Sequence, residues 1–340
     1  MKNKFFITGG LGYIGTVFAR EALKRGCDVA LYDSLIYEQN YNQIIKEVEL
    51  EREEGSSLQT IIGDTRNTDL LEKSIKAFKP DYILHMGELS SVYACNHNPR
   101  YTEDINYNAS RGVLVICEKL GIPVIYNSSS SLYGNQKDLK LMTEKDSLPE
   151  PTDNYCKYKL KMEEYIKERI AANPGFKIIV FRPATVCGPA PRMRLELLPN
   201  HFTYCAIAKG VLRISELNAY RAAIDIRDLV NGYFKVIEKN SWKQLLYNIG
   251  SYNLSKMQFG TGIQDVISCK IAPMHDIGDL RNLQIDCSAF NAEFDFKPSL
   301  SYKESINDVA EWINKNLLEI EKTNYAGLIN MSLDSWLKII

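Results

Sequence analysis

The turn that follows the first apolar run of the chain has the residue types that allow close contact with a phosphate. Glycines stand at four positions between the strand-like run Lys4–Thr8 and a segment with helical periodicity. Such glycines permit a sharp turn and a close approach of the backbone to a pyrophosphate, which the positive end of the next helix attracts. The residues that we expect to contact a dinucleotide here are Gly9, Gly12, Tyr13, Ile14 and Gly15.

The second apolar run ends in an acidic residue. Val29–Tyr32 is followed by Asp33, at about the 20-residue spacing after the glycine turn that suits a ribose-binding acid. A carboxylate there accepts hydrogen bonds from the 2′ and 3′ hydroxyls of a ribose and repels a 2′-phosphate. Asp33 therefore predicts NAD rather than NADP as the cofactor.

Tyr155 and Lys159 could together provide a general base. They are four residues apart, so on a helix they share a face and the ammonium can lie near the phenol. An unperturbed tyrosine has a pKa of about 10. A lysine and the positive ring of an oxidised nicotinamide would both favour the phenolate. The alternative is an ordinary pair of residues on a helix surface, which is what a lone Tyr-x-x-x-Lys usually is.

A run of hydroxyl side chains, Ser128–Ser131, follows the strand-like segment Pro123–Asn127. The carboxyl ends of strands are where open α/β sheets bind ligands, so a serine here could hydrogen-bond a hydroxyl that is being oxidised. The alternative is a polar loop with turn-forming serines. The glycine turn and the Tyr155/Lys159 pair favour the catalytic interpretation.

Alternating strand-like and helix-like segments must position these groups. The alternation predicts a Rossmann-type, doubly wound parallel sheet, with a smaller C-terminal α/β substrate domain. The predicted strands are Lys4–Thr8, Asp28–Tyr32, Leu58–Ile62, Tyr82–Met86, Pro123–Asn127 and Lys177–Arg182. The predicted helices are Thr16–Arg25, Glu38–Glu54, Thr68–Phe78, Tyr101–Leu120 and Tyr155–Ala172.

Prolines interrupt the alternation after Arg182, which predicts a change of domain. We expect an NAD-binding domain over residues 1–182, with a return helix at about 226–248, and a smaller substrate domain over residues 183–340. The last segment, Asn324 to Ile340, ends in apolar residues that need a partner surface on this chain or on a neighbouring subunit.

The composition argues against several classes of protein. The chain has 41 basic and 42 acidic residues, a formal net charge of -1. Its overall charge therefore gives no electrostatic field that would attract nucleic acid or anionic lipid. Eight cysteines without paired spacing predict reduced core residues in a cytoplasmic protein, and four histidines show no metal-site spacing. The sequence has no run long and apolar enough to span a bilayer, so neither membrane insertion nor secretion is expected.

With the glycine turn, Asp33, the serine run and the Tyr155/Lys159 pair in this order, residues 1 to about 315 resemble the extended short-chain dehydrogenase/reductase family. The similarity is to its NAD-dependent nucleotide-sugar epimerase/dehydratase branch. It implies catalytic roles for Tyr155, Lys159 and Ser129. It implies further cofactor contacts from Asp64, Thr65, Met86, Gly87 and Ser128, besides Tyr155 and Lys159. It implies substrate contacts from Ser90, Ser129, Ser130, Asn200 and Arg221.

Other polar residues are expected to have ordinary roles. We expect Arg192, Arg194 and Arg213 to be solvated surface cations, and Cys187 to have no part in catalysis. His85 is expected to be a strand-end residue held by hydrogen bonds, and His201 could touch the substrate. The resemblance also implies a homodimer or a higher homo-oligomer through the helices Tyr101–Leu120 and Tyr155–Ala172, although their apolar residues could instead belong to the core.

The resemblance further implies a reaction on a nucleotide sugar, with a hydride passing from a ring carbon, commonly C4, to the nicotinamide while Tyr155 takes the hydroxyl proton. Net C4 dehydrogenation, 4-epimerisation and 4,6-dehydration are the possible outcomes. Dehydratases usually carry an acidic pair after the catalytic Ser/Thr, and this chain has Ser130 and Ser131 there, so we rank dehydration last.

We place net dehydrogenation slightly ahead of epimerisation. The segment from Pro191 to Leu197 resembles enzymes that act on capsular or lipopolysaccharide sugars, GDP-heptoses among them. An alternative of another class is a non-catalytic NAD sensor or scaffold, and the presence of Ser129, Tyr155 and Lys159 argues against it.

Overall fold

The computed structural model describes residues 2–37, 40–274 and 281–322. The strands are β1 (Lys4–Thr8), β2 (Asp28–Asp33), β3 (Leu58–Ile62), β4 (Tyr82–His85), β5 (Val124–Asn127), β6 (Leu141–Met142), β7 (Ile178–Pro183), β8 (Thr185–Cys187), β9 (Val211–Ser215), β10 (Tyr220–Asp225), β11 (Leu246–Ile249), β12 (Tyr252–Ser255), β13 (Lys270–Met274) and β14 (Gln284–Ile285).

The helices are α1 (Tyr13–Lys24), α2 (Tyr41–Glu49), α3 (Thr68–Phe78), α4 (Val92–His97), α5 (Pro99–Glu103), α6 (Ser110–Leu120), α7 (Asn154–Ala172), α8 (Leu198–Lys209), α9 (Ile226–Lys239), α10 (Lys256–Gln264), α11 (Ser288–Phe294) and α12 (Tyr302–Lys322). A π-helix, Asp104–Ala109, joins α5 to α6, and a 3-10 turn, Ser130–Tyr133, follows β5.

Seven parallel strands form the central sheet, in the order β3-β2-β1-β4-β5-β7-β11. This confirms the predicted Rossmann-type α/β fold. The strand order reverses between β1 and β4, so the connections leave the carboxyl ends of these two strands in opposite directions. A crevice opens at that point, which is the usual ligand site of such sheets.

Helices cover both faces of the sheet because side chains alternate along each strand. In β1, Phe5 and Ile7 pack with α1 and α9 on one face, whereas Phe6 packs with α3, α6 and α7 on the other. These side chains are fully buried. The first half of the chain therefore forms its core through strands that are apolar on both faces, as is typical of parallel sheets.

The seventh strand comes from a part of the chain for which we predicted a helix. The expected return helix at about 226–248 ends earlier, where Asn240 takes the left-handed conformation with φ 51°. Residues Leu246–Ile249 then form β11 and pair with Val180–Pro183 of β7. The sheet at the cofactor site thus includes residues from beyond the expected boundary at 182.

The remaining strands form smaller sheets beside the crevice. β10 pairs with β8 in parallel and with β12 antiparallel, while β9 pairs with β13. All eight cysteines are free. Among the described residues, no helix combines the length and apolarity needed to cross a membrane. The segment Asn324 to Ile340 and one of the four histidines, His275, lie outside the described residues, so our expectations for them remain predictions.

Candidate active site

A cavity of about 1120 Å³ lies along the carboxyl ends of the sheet strands. It is large compared with the site of a single small ligand, so it has room for a dinucleotide and a second molecule. With the exception of Asn200, it is lined by every residue that we predicted to contact cofactor or substrate. These are Gly9, Gly12, Tyr13, Ile14, Gly15, Asp33, Asp64, Thr65, Met86, Gly87, Ser90, Ser128, Ser129, Ser130, Tyr155, Lys159 and Arg221.

The glycine turn leaves the space that a pyrophosphate needs. Gly9 has φ 66°, and a Cβ atom there would lie 2.5 Å from the carbonyl oxygen of Met86. A Cβ atom on Gly15 would lie 2.7 Å from the carbonyl oxygen of Gly9. Helix α1 starts directly after Gly12, and among the described residues neither a capping side chain nor an acid in its first turn competes for its amide groups. The turn therefore fits the diphosphate of a dinucleotide.

Asp33 is positioned by the backbone at the end of β2. Its carboxylate accepts hydrogen bonds from the amides of Leu11 at 3.0 Å and Leu35 at 2.9 Å. Desolvation raises the pKa of Asp33, while these amides and the positive charge of Arg192 lower it. The carboxylate lies on the cavity wall next to the glycine turn, where it fits a ribose of NAD.

Tyr155 lies in the first turn of α7, which Asp153 caps by accepting a hydrogen bond from the amide of Cys156 at 2.8 Å. Desolvation raises the pKa of Tyr155, whereas two neighbours act to lower it, namely the positive charge of Lys159 and the hydroxyl of Ser129. The fold thus brings together the predicted base and the predicted serine.

Lys159 lies one turn further along α7 and its side chain is almost fully buried. The ammonium is 5.9 Å from the centre of the Tyr155 ring. It donates a hydrogen bond to the carbonyl oxygen of Asn127 and forms an ion pair with Glu88. Desolvation lowers the pKa of Lys159, but the neighbouring anion outweighs it and the net shift is upward. Lys159 is therefore charged when Tyr155 must lose its proton.

A buried ion pair holds the serine run in place. The hydroxyl of Ser128 donates to a carboxylate oxygen of Glu163 at 2.6 Å, and Arg182 donates to the same carboxylate at 2.6 Å. Arg281 donates to the hydroxyl of Ser131 at 2.6 Å. Ser129 is therefore positioned by anchors on both sides of it.

Arg192 and Arg194 are not the solvated surface cations that we predicted. They are 3% and 9% exposed and line the cavity. Arg194 forms an ion pair with Glu196 at 2.7 Å and donates to the hydroxyl of Ser90 at 2.9 Å. Arg192 lies 5.2 Å from the centre of the Tyr37 ring. These partners compensate the buried charges, and their proximity is not visible in the sequence. Arg213 is exposed, as expected.

Asn200 does not face the cavity, contrary to its predicted contact with substrate. Its side-chain amide donates to the hydroxyl of Tyr13 at 3.1 Å and to the carbonyl oxygen of Arg194 at 2.9 Å, and its oxygen accepts from the amide of Gly188 at 3.2 Å. The side chain is fully buried. Asn200 therefore braces the segment that carries Arg194 against the glycine turn.

The two histidines that we considered have structural contacts. Nδ1 of His85 is 2.7 Å from the hydroxyl oxygen of Thr8, and burial lowers the pKa of His85 to about 4. This confirms a strand-end residue held by hydrogen bonding. His201 lies on α8, outside the cavity lining, with its Nε2 3.4 Å from the sulfur of Cys205.

Comparison with known proteins agrees with this geometry. Residues 5–250 match the NAD dependent epimerase/dehydratase family. The chain belongs to this family. It is 25% identical to a bifunctional UDP-glucose 4-epimerase and UDP-xylose 4-epimerase from Pisum sativum, over 92% of this chain and 96% of the relative. It is 24% identical to a UDP-glucose 4-epimerase from Erwinia amylovora, over 91% and 97% of the two chains.

Solved structures of epimerases share the fold of this family member. A UDP-glucose 4-epimerase from Bifidobacterium longum, solved with NAD+ and UDP, superposes with a TM-score of 0.80 at 21% identity, over 92% of this chain and 99% of that one. A UDP-glucose-4-epimerase from Stenotrophomonas maltophila, solved with NAD, gives a TM-score of 0.82 at 17% identity, over 93% and 99%. The family to which the chain belongs is NAD-dependent, so NAD is its cofactor, as the glycine turn and Asp33 indicated.

Among the cavity residues to which we assigned no role from the sequence are Tyr37, Glu88 and Arg281. Glu88 follows the small-residue stretch after β4, Tyr37 follows β2, and Arg281 lies far along the chain beside Ser131. The position of Glu88 just past a strand end was a signal that an acid enters the site. The sequence holds no comparable signal for Arg281, because its partner is 150 residues away.

Proposed function

We propose that the protein oxidises the C4 hydroxyl of a nucleotide-activated sugar with NAD and gives a 4-keto sugar nucleotide. The convergence of Ser129, Tyr155 and Lys159 beside the glycine turn carries this proposal. Ser129 comes from the turn after β5, whereas Tyr155 and Lys159 come from α7, and the three side chains meet where a ring carbon of the sugar would face the nicotinamide.

Each side chain of the site has a separate role in the proposed reaction. Ser129 hydrogen-bonds the reacting hydroxyl, and Tyr155 takes its proton, since Lys159 stabilises the phenolate that must form. Arg221, buried in the cavity wall, is the residue that we assign to the diphosphate of the substrate. NAD, when bound, accepts the hydride from C4. Tyr155 then holds the proton at its phenol oxygen, from which it can be returned or lost.

The residues after Ser129 favour oxidation without elimination. Elimination of water needs its own acid and base. Ser130 and Ser131 occupy the places where such groups would be expected, and Ser131 is engaged by Arg281. We therefore propose net dehydrogenation at C4 as the first outcome.

A second candidate outcome is 4-epimerisation, in which the hydride returns to the opposite face of the ring. Relatives favour it, because the proteins from Pisum sativum and Erwinia amylovora, which match this chain over most of their length, are UDP-glucose 4-epimerases. It needs the same serine, tyrosine and lysine. Only the fate of the 4-keto sugar distinguishes the two outcomes.

We also propose that the segment from Pro191 to Leu197 takes part in choosing the sugar nucleotide. It brings Arg192, Arg194 and Glu196 into the cavity, and Arg194 reaches Ser90 from across the crevice. A GDP-heptose or a related capsule or lipopolysaccharide sugar is the substrate that we would test first. We propose that residues 1–182, with α9 as the return helix, form the NAD-binding domain, and that residues 183–340 hold most of the nucleotide sugar. We propose that the protein is cytoplasmic and forms a homodimer or a higher homo-oligomer.

The test incubates the purified protein with NAD and a panel of GDP- and UDP-sugars, heptoses included, and follows the sugar by proton NMR. A 4-keto product that retains its C6 oxygen supports the dehydrogenase, and inversion at C4 without net NADH supports the epimerase. No conversion across the panel would overturn the proposed function.

A variant of the proposed base gives the matching control. Tyr155→Phe removes only the phenol oxygen, so we expect turnover to be abolished while NAD affinity, measured by calorimetry, stays nearly unchanged. Tyr165→Phe, on the same helix, should keep full activity. A fully active Tyr155→Phe variant would contradict the assignment of the base.

A further inference from the structure

A carboxylate that the proposed reaction does not use lies against the lysine of the active site. Glu88 follows β4 by three residues, and its side chain is only 4% exposed. It forms an ion pair with the ammonium of Lys159. The hydroxyl of Ser110 donates to Oε1 of Glu88 at 2.8 Å. A buried carboxylate is costly unless it is paired in this way, so its place beside Lys159 requires an explanation.

We propose that Glu88 is a positioning residue that holds Lys159 in place and offsets its charge, so that Glu88 sets how readily Tyr155 gives up its proton. The inference rests on the proposed role of Tyr155 as a base. It assigns to Glu88 a task that is separate from binding the cofactor or the substrate.

Three titratable side chains packed around Glu88 and Lys159 are uncharged near pH 7, so they do not replace Glu88 as the counter-charge of Lys159. His85 on β4 has its Nε2 3.8 Å from Oε1 of Glu88 and a pKa lowered to about 4 by burial, so it is neutral near pH 7. Burial raises the pKa of Cys95 on α4 to about 12, so it is neutral as well. Tyr126 on β5, 4.8 Å from the ammonium of Lys159, has its pKa raised by burial and is also uncharged.

The other charges near this group are already paired. Glu163, one turn beyond Lys159 on α7, is in an ion pair with Arg182. Arg194, which acts on Tyr155 from across the cavity, is in an ion pair with Glu196. Burial has the largest effect on the pKa of Tyr155 and raises it; of the charges that act on Tyr155, Lys159 favours the phenolate and Glu88, its ion-pair partner, opposes it.

The direction in which Glu88 shifts the pKa of Tyr155 follows from the opposite charges of Glu88 and Lys159. With Glu88 charged, the pKa of Tyr155 lies higher than Lys159 alone would make it. Glu88→Gln removes the negative charge and keeps a polar side chain of nearly the same size that can still accept from Ser110. We expect the ionisation of Tyr155 to shift to lower pH by about one unit, a typical effect of one nearby charge.

The first experiment measures this ionisation directly in the folded protein. Protein labelled with [13Cζ]tyrosine is titrated by NMR, and the signal of Tyr155 is assigned by its loss in Tyr155→Phe. The Glu88→Gln variant should titrate about one pH unit below the wild type, and the rising limb of kcat/KM should move with it. The control Glu164→Gln removes an exposed carboxylate from the same helix and should leave the midpoint unchanged. An unchanged or higher midpoint in Glu88→Gln would overturn the proposal.

The NMR titration needs no substrate, so its failure can be told apart from failure of the proposed reaction. A second measurement covers the case in which Glu88→Gln does not fold. Lys159→Met leaves a buried carboxylate without its cation, so its melting temperature should fall. The double variant Glu88→Gln/Lys159→Met removes both charges and should melt above Lys159→Met alone. Additive losses in the double variant would show that the two side chains do not depend on each other.

Discussion

At the scale of single residues, Lys159 has the position that best explains how a phenol becomes a base here. Burial raises the pKa of Tyr155, which works against catalysis, and Lys159 supplies the nearest opposing charge. Replacing Lys159 with methionine keeps most of the apolar stem and removes the cation. The pKa of Tyr155 then rises further, so the rising limb of the pH profile of kcat/KM should move to higher pH.

This variant should lose about tenfold in kcat/KM near neutral pH for each unit by which the pKa of Tyr155 rises. Lys157→Met provides the control, because Lys157 is exposed on the same helix. The measurement is the full pH profile of kcat/KM for the three proteins. A Lys159→Met enzyme whose profile keeps its position on the pH axis would show that the ammonium does not act on Tyr155.

Residues with a fixed spacing were predictable from the sequence, and residues that depend on distant partners were not. The glycine turn, Asp33, Tyr155 and Lys159 follow local rules of strand, turn and helix, and all of them line the cavity. Arg192 and Arg194 were wrongly placed on the surface, since burial of an arginine depends on a partner such as Glu196 or Tyr37. Asn200 was wrongly predicted to contact substrate, because its side-chain amide is hydrogen-bonded to Tyr13, Gly188 and Arg194.

At the scale of elements, the turn between β1 and α1 depends on the lack of a side chain at Gly9. A methyl group there would meet the carbonyl oxygen of Met86 at 2.5 Å, in a backbone conformation with φ 66°. We expect Gly9→Ala to shift the turn and to weaken NAD binding at least tenfold, as measured by calorimetry.

Gly55→Ala is the control that separates two causes of the expected loss at Gly9, namely the strain of a side chain at positive φ and the close contact with Met86. Gly55 has a similar positive φ of 83°, but a Cβ atom there meets nothing within 4 Å. It should cost about 1 kcal/mol of stability and leave NAD affinity unchanged. If Gly9→Ala binds NAD as tightly as Gly55→Ala, the close contact with Met86 is not what shapes the turn.

The ion pair between Glu163 and Arg182 ties α7 to β7 and to the serine run. Both side chains are nearly fully buried, at 1% and 2% exposure, and the hydroxyl of Ser128 donates to the same carboxylate. Glu163→Gln leaves a buried guanidinium without its counter-charge, so unfolding free energy should fall by about 3–5 kcal/mol. Guanidinium chloride denaturation measures this.

A second ion pair on α7 serves as the comparison for Glu163. Arg169 and Glu118 are 2.7 Å apart, but Arg169 is 38% exposed, so water screens the pair. Glu118→Gln should therefore cost less than about 1 kcal/mol. Equal losses in the two variants would argue against burial as the cause.

Strong apolar periodicity made most elements around the sheet predictable, and local conformations caused the exceptions. The first five strands begin within one residue of their predicted positions. The predicted helix Tyr101–Leu120 is in fact α5, a π-helix and α6, because a π-turn changes the hydrogen bonding without breaking the apolar pattern. The end of α9 at Asn240 depends on one left-handed residue, which asparagine tolerates but does not dictate.

At the scale of the whole molecule, our prediction of a homodimer or a higher homo-oligomer concerns the exposed side of α6 and α7. Val115 on α6 is 48% exposed. Beside it, Arg111 lies over the rings of Tyr107 and Tyr165, which gives this face an aromatic and cationic rim. The predicted homodimer would use these two helices from each subunit.

Val115→Arg should therefore convert a dimer into a monomer, because it places a charge at the centre of the apolar contact. Size-exclusion chromatography with light scattering measures the mass. Leu50→Arg, at an exposed apolar residue on another surface, should leave the mass unchanged. A Val115→Arg protein of unchanged dimeric mass would place the interface elsewhere.

The late position of β11 in the chain has a consequence for synthesis on the ribosome. The outer edge of β7 finds its partner only when Leu246–Ile249 have been made. At about 5–20 residues per second, the chain between these strands takes several seconds to emerge. During that interval a six-stranded nascent sheet presents an unpaired edge, the kind of surface that pairs with other chains. Pairing with β11 therefore ends the exposure of the edge of β7 to other chains and makes β11 the outermost strand of the finished sheet.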